Sequence, residues 1–86
     1  MGDDAAKAAR EVIVYTSPLC APCEALKKFL SGQNVEYKVR DLMMEEDAQD
    51  RLDEAGIRST PALEIDGQLY AGDALNPQNV KDLLNL

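Results

Sequence analysis

Hydrophobic residues along the chain fall into four short runs of strand type and three groups with helical spacing. The first run, Val12 to Thr16, is continuous and rich in β-branched residues, which is typical of a central strand buried on both faces. Residues 35–39 alternate apolar and polar positions, as a half-exposed strand does. The segments 61–65 and 68–71 flank Asp66-Gly67, a dipeptide that favours a two-residue β-hairpin.

The helix-spaced groups follow the first, second and fourth strands. The first predicted helix covers about residues 22–30, and its apolar face carries Leu26, Phe29 and Leu30. The second lies within residues 45–55, where Asp47 and Arg51 are spaced to pair one turn apart on the outer face. Asn76-Pro77 is typical of the N-cap and first residue of a last helix, whose buried stripe is Val80, Leu83 and Leu84.

The predicted order of elements is therefore βαβαββα, an α/β fold class. A βαβ crossover makes the first two strands parallel, and the hairpin supplies antiparallel strands. The natural closure is a four-stranded mixed sheet with helices on both faces. We expect residues 11–86 to form a single domain and residues 1–10 to be a flexible N-terminal tail.

Length and charge narrow the function classes. The chain has 86 residues, 45% of them hydrophobic, and a net charge of −7, which fits one globular domain. A surface this acidic is repelled by nucleic acid and by anionic membranes. It fits partners with a basic docking face and it equally fits simple solubility. No signal peptide is visible and the longest apolar run covers only residues 12–15, so we expect a cytoplasmic location and no membrane contact.

Both cysteines of the chain lie in the segment Cys20-Ala21-Pro22-Cys23. A pair this close closes only a tiny loop, so it is no secreted disulfide scaffold. A zinc or iron–sulfur site needs around four ligands, and the chain has no His and no second Cys pair. Three interpretations remain: redox chemistry, inert core thiols, or metal bound across a dimer. A proline between two cysteines that open a helix favours redox chemistry.

The spacing predicts different roles for the two sulfurs. Cys20 stands at the helix N-terminus, where unpaired N–H groups stabilise a thiolate, so it is the expected nucleophile. Cys23 lies one turn later, more buried, and is expected to resolve the mixed disulfide. Pro22 fits the first helical turn and stiffens the loop, which tunes the redox potential. With no charged neighbour in sequence, the pKa of Cys20 is expected to be lowered only modestly.

A second element is Thr60-Pro61 at the start of the third strand. A proline entering a strand is accommodated by a cis bond or, more commonly, by a trans bond at a sheet edge. A cis bond would turn the Thr60 backbone towards solvent, where its N–H and C=O can pair with a substrate chain beside Cys20. The residues alone leave both alternatives open.

These motifs together resemble the thioredoxin superfamily, in its small glutaredoxin-like branch. The resemblance rests on three segments: 16–23 with both cysteines, 56–63 with Thr60-Pro61, and the hairpin 65–70 leading to Ala71-Gly72. It implies a thioredoxin-like fold, a cis peptide at Pro61 packed against a redox-active Cys20–Cys23 disulfide, and an oxidoreductase that works by dithiol exchange. It implies no further cofactor and no resident metal.

Features of both parent families are missing from this sequence. Leu19 stands where thioredoxins carry a Trp, and Val14 falls near the place of their buried acid. No charge flanks Cys20, and Ala71-Gly72-Asp73 matches the glutathione motif of glutaredoxins only in part. The net charge also disfavours anionic glutathione. Arg58 is equally well read as a carboxylate ligand and as a solvated surface residue.

The small archaeal and bacterial redoxins with thioredoxin-type activity are the best fit. That resemblance implies a monomeric electron-transport protein that accepts electrons from a flavoprotein disulfide reductase, or from glutathione, and passes them to protein disulfides. Leu19, Thr60, Pro61, Ala62, Gly72 and Asp73 are then the expected substrate contacts. The alternatives are a glutathione-dependent glutaredoxin and, in another class, a dimeric carrier of an iron–sulfur cluster or soft metal.

Overall fold

The computed structural model describes residues 11–85, and the predicted tail at residues 1–10 lies outside that range. Within it, four strands and three α-helices alternate with one short 3₁₀ helix. The elements are β1 (Val12–Thr16), α1 (Ala21–Gly32), β2 (Lys38–Asp41), α2 (Glu46–Glu54), β3 (Ala62–Ile65), β4 (Gln68–Ala71), the 3₁₀ helix Gly72–Leu75, and α3 (Pro77–Leu84). The predicted order βαβαββα is confirmed.

The strands form one mixed sheet in the order β2-β1-β3-β4. β1 runs parallel to β2 and antiparallel to β3, while β3 and β4 are the two arms of the hairpin. All five residues of β1 are buried, as its continuous apolar run predicts. Asp66 and Gly67 at the hairpin tip have φ values of 49° and 90°, the left-handed conformation that a tight turn of this type requires.

Helices cover both faces of the sheet, as predicted. On one face Val12, Val14, Leu63 and Ile65 pack with residues of α1 and α3, which are Leu26, Leu30, Val80 and Leu84. On the other face the two remaining apolar residues of β1, Ile13 and Tyr15, pack with Ala48, Leu52 and Ala62. Residues of β1 alternate between two separate cores, which is why a strand that is apolar from Val12 to Tyr15 lies in the centre of the sheet.

The second strand starts later than the sequence pattern indicates. β2 begins at Lys38, whereas the alternation predicts residues 35–39. The Val35 N–H donates to the Leu30 carbonyl (3.0 Å), so this part of the chain completes the C-terminal turn of α1 instead of joining the ladder. Val35 and Tyr37 still pack against the core from there, and Val39 on the edge strand is 46% exposed.

The predicted Asp47–Arg51 pair on α2 is wrong, because both residues find partners on the sheet. Asp47 binds the Arg40 guanidinium of β2 at 2.7 Å, and that hydrogen bond lowers the pKa of Asp47. Arg51 instead lies 3.5 Å from the Glu64 carboxylate of β3. Glu64 accepts the phenol hydroxyl of Tyr15 at 2.6 Å, and burial together with this bond raises the pKa of Tyr15.

The stability of the core should be sensitive to substitution of Leu30, which is fully buried against the sheet and lies far along α1 from the cysteines. We expect Leu30→Ala to lower the free energy of unfolding by about 2–4 kcal/mol, because it removes buried methyl groups and leaves a cavity. Met43→Ala is the control; since Met43 is 74% exposed, the expected change is within about 0.5 kcal/mol. Urea denaturation of the oxidised protein measures both, and equal values for the two variants would contradict this packing.

Candidate active site

The sheet topology brings three separate segments to one edge. β1 ends at Thr16 and leads into the cysteine turn, and β3, which is antiparallel, begins beside it with Ala62 opposite Tyr15. Ala71 at the end of β4 lies opposite Ala62. The segments carrying Cys20, Thr60-Pro61 and Gly72-Asp73 therefore meet, although Cys20 and Asp73 are 53 residues apart in sequence.

Cys20 is the N-cap of α1. Its backbone is extended (φ −113°, ψ 99°), and its Sγ accepts a hydrogen bond from the Cys23 N–H at 3.1 Å. This is the position and the bond that Ser, Thr, Asp or Asn usually supply at a helix start. The sulfur thus lies at the positive end of the helix dipole, facing an N–H group with no partner inside the helix. Pro22 occupies the first turn, where its missing N–H costs nothing.

The two cysteines form a disulfide and differ in exposure. Their Cα atoms are 5.2 Å apart, one turn of helix. Cys23 is 1% exposed and belongs to the buried face of α1, whereas Cys20 is partly exposed at the surface. The pair therefore presents one sulfur to solvent and protects the other, which is the asymmetry that stepwise exchange needs.

One hydroxyl group lies beside the Cys20 sulfur, and a second hydroxyl lies beside the first. Thr60 Oγ1 is 3.7 Å from Cys20 Sγ and is placed as a donor to it. Ser17 Oγ is 2.8 Å from Thr60 Oγ1, so these two hydroxyls share a hydrogen bond across the loop. The Thr60–Pro61 peptide bond is cis, as the resemblance implies. No sequence signal marked Ser17 as part of this site.

A cleft of about 650 Å³ opens next to the disulfide. Most of its wall is apolar and comes from α1, the end of the 3₁₀ helix and the start of α3: Pro22, Ala25, Leu26, Phe29, Leu75 and Pro77. The polar part contains Ser59, Thr60 and Asn76, and Pro61, Gly72 and Asp73 complete it. Among the lining residues Asp73 alone is charged, so the part of the cleft that the structure describes holds an acid and no cation.

Leu19 lies outside this cleft and is fully exposed, at 105% of its reference area. Its φ of 57° is in the left-handed region, which costs a branched side chain roughly 1–2 kcal/mol. The chain thus holds a large apolar side chain in water, in an unfavourable backbone conformation, directly before Cys20. Strain of this kind is found mainly where a segment has a function.

The structure brings together most of the residues that the sequence singled out. Thr60, Pro61, Gly72, Asp73 and Pro22 line one cleft beside the cysteines. Ala62 was expected at the rim as well, and that prediction is wrong because Ala62 is fully buried in the core under α2. Arg58 is exposed and does not line the cleft. The apolar wall, which includes Phe29 and Leu75, was missed, since helical spacing marked Phe29 only as core.

Within residues 11–85, no cluster of three or more His, Cys, Asp or Glu side chains is arranged to hold a metal ion. In the same part of the chain, each helix is too short or too polar to cross a bilayer.

Comparison with known proteins decides the family. The family model named Glutaredoxin matches residues 12–70, which include both cysteines and the Thr60-Pro61 segment. The chain belongs to the glutaredoxin family. No curated protein matches this sequence.

Solved structures of other redoxins share this fold. The thioredoxin-like protein BC3987 is 35% identical, with a TM-score of 0.75 over 85% of this chain and 99% of its own. NrdH-redoxin from Escherichia coli is 19% identical, with a TM-score of 0.75 over 85% of this chain and 93% of its own. Oxidised glutaredoxin 2 from Chlamydomonas reinhardtii is 29% identical, with a TM-score of 0.66 over 98% of this chain and 88% of its own. The fold is thioredoxin-like, and the chain is a thiol–disulfide redox protein of glutaredoxin type.

Proposed function

We propose that this protein is an electron-carrying reductase of protein disulfides. The observation that carries the proposal is the asymmetric disulfide: Cys20 is partly exposed at a helix N-terminus and Cys23 is buried behind it. An exposed sulfur at a helix N-cap can attack a substrate disulfide and, once oxidised, can be attacked by the thiol of a reductase. The buried sulfur of its partner is protected from premature exchange.

In the reduced protein, the Cys20 thiolate attacks one sulfur of the substrate disulfide. The substrate S–S bond breaks and a mixed disulfide forms between Cys20 and the substrate, while the second substrate sulfur leaves as a thiolate and takes a proton from water. The hydrogen bond from the Cys23 N–H stabilises Cys20 while it carries negative charge. Near the sulfur, Thr60 is the other group placed as a donor.

Cys23 then completes the exchange. Its thiol gives its proton to water, the thiolate attacks Cys20 Sγ, and the mixed disulfide breaks to release the second substrate thiolate, which also takes a proton from water. The product is the Cys20–Cys23 disulfide seen in the structure. Two electrons and two protons have passed to the substrate, and a flavoprotein disulfide reductase restores the dithiol. Such a cycle belongs in a reducing compartment such as the cytoplasm.

The shape and charge of the site support a polypeptide as the substrate. The cleft is apolar along α1 and its charged lining residue is Asp73, so it suits an uncharged chain segment. Leu19 offers an apolar contact beside Cys20. Glutathione carries two carboxylates and needs cations, which the described lining does not provide. NrdH-redoxin is described as a glutaredoxin-like protein with a thioredoxin-like activity profile, so that combination exists on this fold.

A glutathione-dependent glutaredoxin is the second candidate, and one observation favours it. Gly72 and Asp73 lie in the cleft beside Thr60 and Pro61, and a carboxylate there can bind an ammonium group. The two candidates share the exchange at Cys20 and differ in the electron donor.

The preferred electron donor distinguishes the two candidate functions. We expect turnover of a disulfide substrate with a flavoprotein thioredoxin reductase and NADPH to exceed turnover with glutathione and its reductase by about tenfold or more, because the cleft repels the anion. Coupled NADPH oxidation measures both rates with the same protein preparation. Faster turnover with glutathione would contradict the proposal and favour the second candidate.

Replacing the two cysteines one at a time should give two different results, because Cys20 attacks the substrate and Cys23 resolves the mixed disulfide. We expect Cys20→Ser to abolish the reduction of insulin, because the attacking sulfur is lost. Cys23→Ser should still attack and should accumulate mixed disulfides with the substrate, which mass spectrometry detects under non-reducing conditions. Full insulin-reducing activity of Cys20→Ser would overturn the mechanism.

Leu19 should affect protein substrates and spare small ones. Asn adopts the left-handed conformation readily, so Leu19→Asn removes the apolar contact and keeps the turn. We expect KM for a protein disulfide to rise about fivefold or more, which corresponds to the loss of roughly 1 kcal/mol of apolar contact, with the rate on a small aromatic disulfide unchanged. Val39→Thr, another exposed apolar site, is the control. Equal KM values for Leu19→Asn and the parent would show that Leu19 makes no substrate contact.

A further inference from the structure

The hydrogen bonds around Cys20 continue one residue beyond the groups used above. Cys20 Sγ is contacted by the Thr60 hydroxyl at 3.7 Å, and that hydroxyl is contacted by the Ser17 hydroxyl at 2.8 Å. Ser17 comes from the turn after β1 and Thr60 from the segment before β3, so the chain of hydroxyls spans the active-site edge of the sheet. All three residues are partly buried, which limits competition from water.

The direction of these bonds depends on the charge of the sulfur. A hydroxyl has one hydrogen to donate, and a thiolate can only accept. Thr60 therefore has two choices: it donates to Cys20, or it donates to Ser17 and leaves the sulfur without this donor. When Ser17 donates to Thr60, the Thr60 hydrogen is free for the sulfur, and the two bonds strengthen each other.

Neutral hydrogen-bond donors matter more for the Cys20 thiolate because no charged donor among the described residues contacts its sulfur. In the described residues, the hydrogen-bond partners of Cys20 Sγ are the Cys23 N–H and the Thr60 hydroxyl. The helix supplies the first and the Ser17–Thr60 pair supplies the second. Losing either donor removes one of the two hydrogen bonds that stabilise the negative charge on Cys20.

We propose that Ser17 is a positioning residue for the Cys20 thiolate, which orients the Thr60 hydroxyl so that it donates to the sulfur. The inference rests on the proposed exchange at Cys20 and adds a group to it that does not touch the substrate. Its consequence is a directional relay, Ser17 to Thr60 to Cys20, that favours the ionised form of the nucleophile over the thiol.

The test measures the pKa of Cys20 in the Cys23→Ser background. The ultraviolet absorbance of the thiolate, recorded against pH, gives this value. We expect Ser17→Ala to raise the pKa of Cys20 by about half a unit, which lowers its ionisation constant about threefold. Thr60→Val, of equal shape without the hydroxyl, should raise it by about the same or more, and Thr60→Ser should restore the parent value.

Ser31→Ala is the matched control, because Ser31 also shares a hydroxyl–hydroxyl bond, with Tyr37 at the far end of α1. It should leave the pKa of Cys20 unchanged. If Ser17→Ala keeps the parent pKa of Cys20, the relay is wrong, and the Ser17–Thr60 bond only joins two loops. Ser17→Ala alone carries the test if Thr60→Val does not fold.

This readout separates the relay from the proposed function. A protein that fails to reduce insulin but shows the predicted pKa changes would overturn the function and uphold the relay. A protein that reduces insulin with unchanged pKa values would overturn the relay alone.

Discussion

The hydrogen bond from the Cys23 N–H to the Cys20 sulfur is the interaction on which the site depends. It makes a cysteine the N-cap of α1, so one bond begins the helix and places the nucleophile at its positive end. The sulfur needs this place because no charged group among the described residues contacts it. Burying Cys23 on the core face of the same helix turn fixes which sulfur meets the substrate. Fold and chemistry therefore share one structural feature.

The sheet supplies what the helix alone cannot. β1 packs apolar residues into cores on both of its faces and ends at the cysteine turn, so the turn is held by a strand that cannot shift register without exposing a core. The antiparallel β3 then delivers Thr60 to the same edge, and β4 delivers Gly72 and Asp73. On the other face, the Arg40 guanidinium lies 5.7 Å from the centre of the Tyr15 ring and binds acids of the loop and of α2. These contacts tie α2 to the sheet.

Sequence patterns predicted those features of the fold that depend on interactions between residues close in sequence. The continuous apolar run of β1, the Asp66-Gly67 turn and the Asn76-Pro77 helix start are each set by neighbouring residues, and the structure has all of them. The N-cap role of Cys20 follows from the same kind of signal. The start of β2 was missed, because the Val35 N–H is taken by α1 and hydrophobic alternation does not report that competition. The Ser17–Thr60 contact joins residues 43 apart, and Ala62 is buried by α2 from across the sheet. Only tertiary structure contains such information.

The central claim is that a helix N-terminus and neutral donors, without a charged partner, hold the Cys20 thiolate. The most direct test is a pH titration of the Cys20 Cβ resonance by NMR in the fully reduced, otherwise unmodified protein. The account predicts a midpoint between about 6 and 8, lowered from the ordinary cysteine value of about 8.5. A midpoint at or above about 8.5 would show that the cap does not stabilise the thiolate. A midpoint below about 5 would contradict the claim from the other side, because it requires a charged partner that the described site does not have.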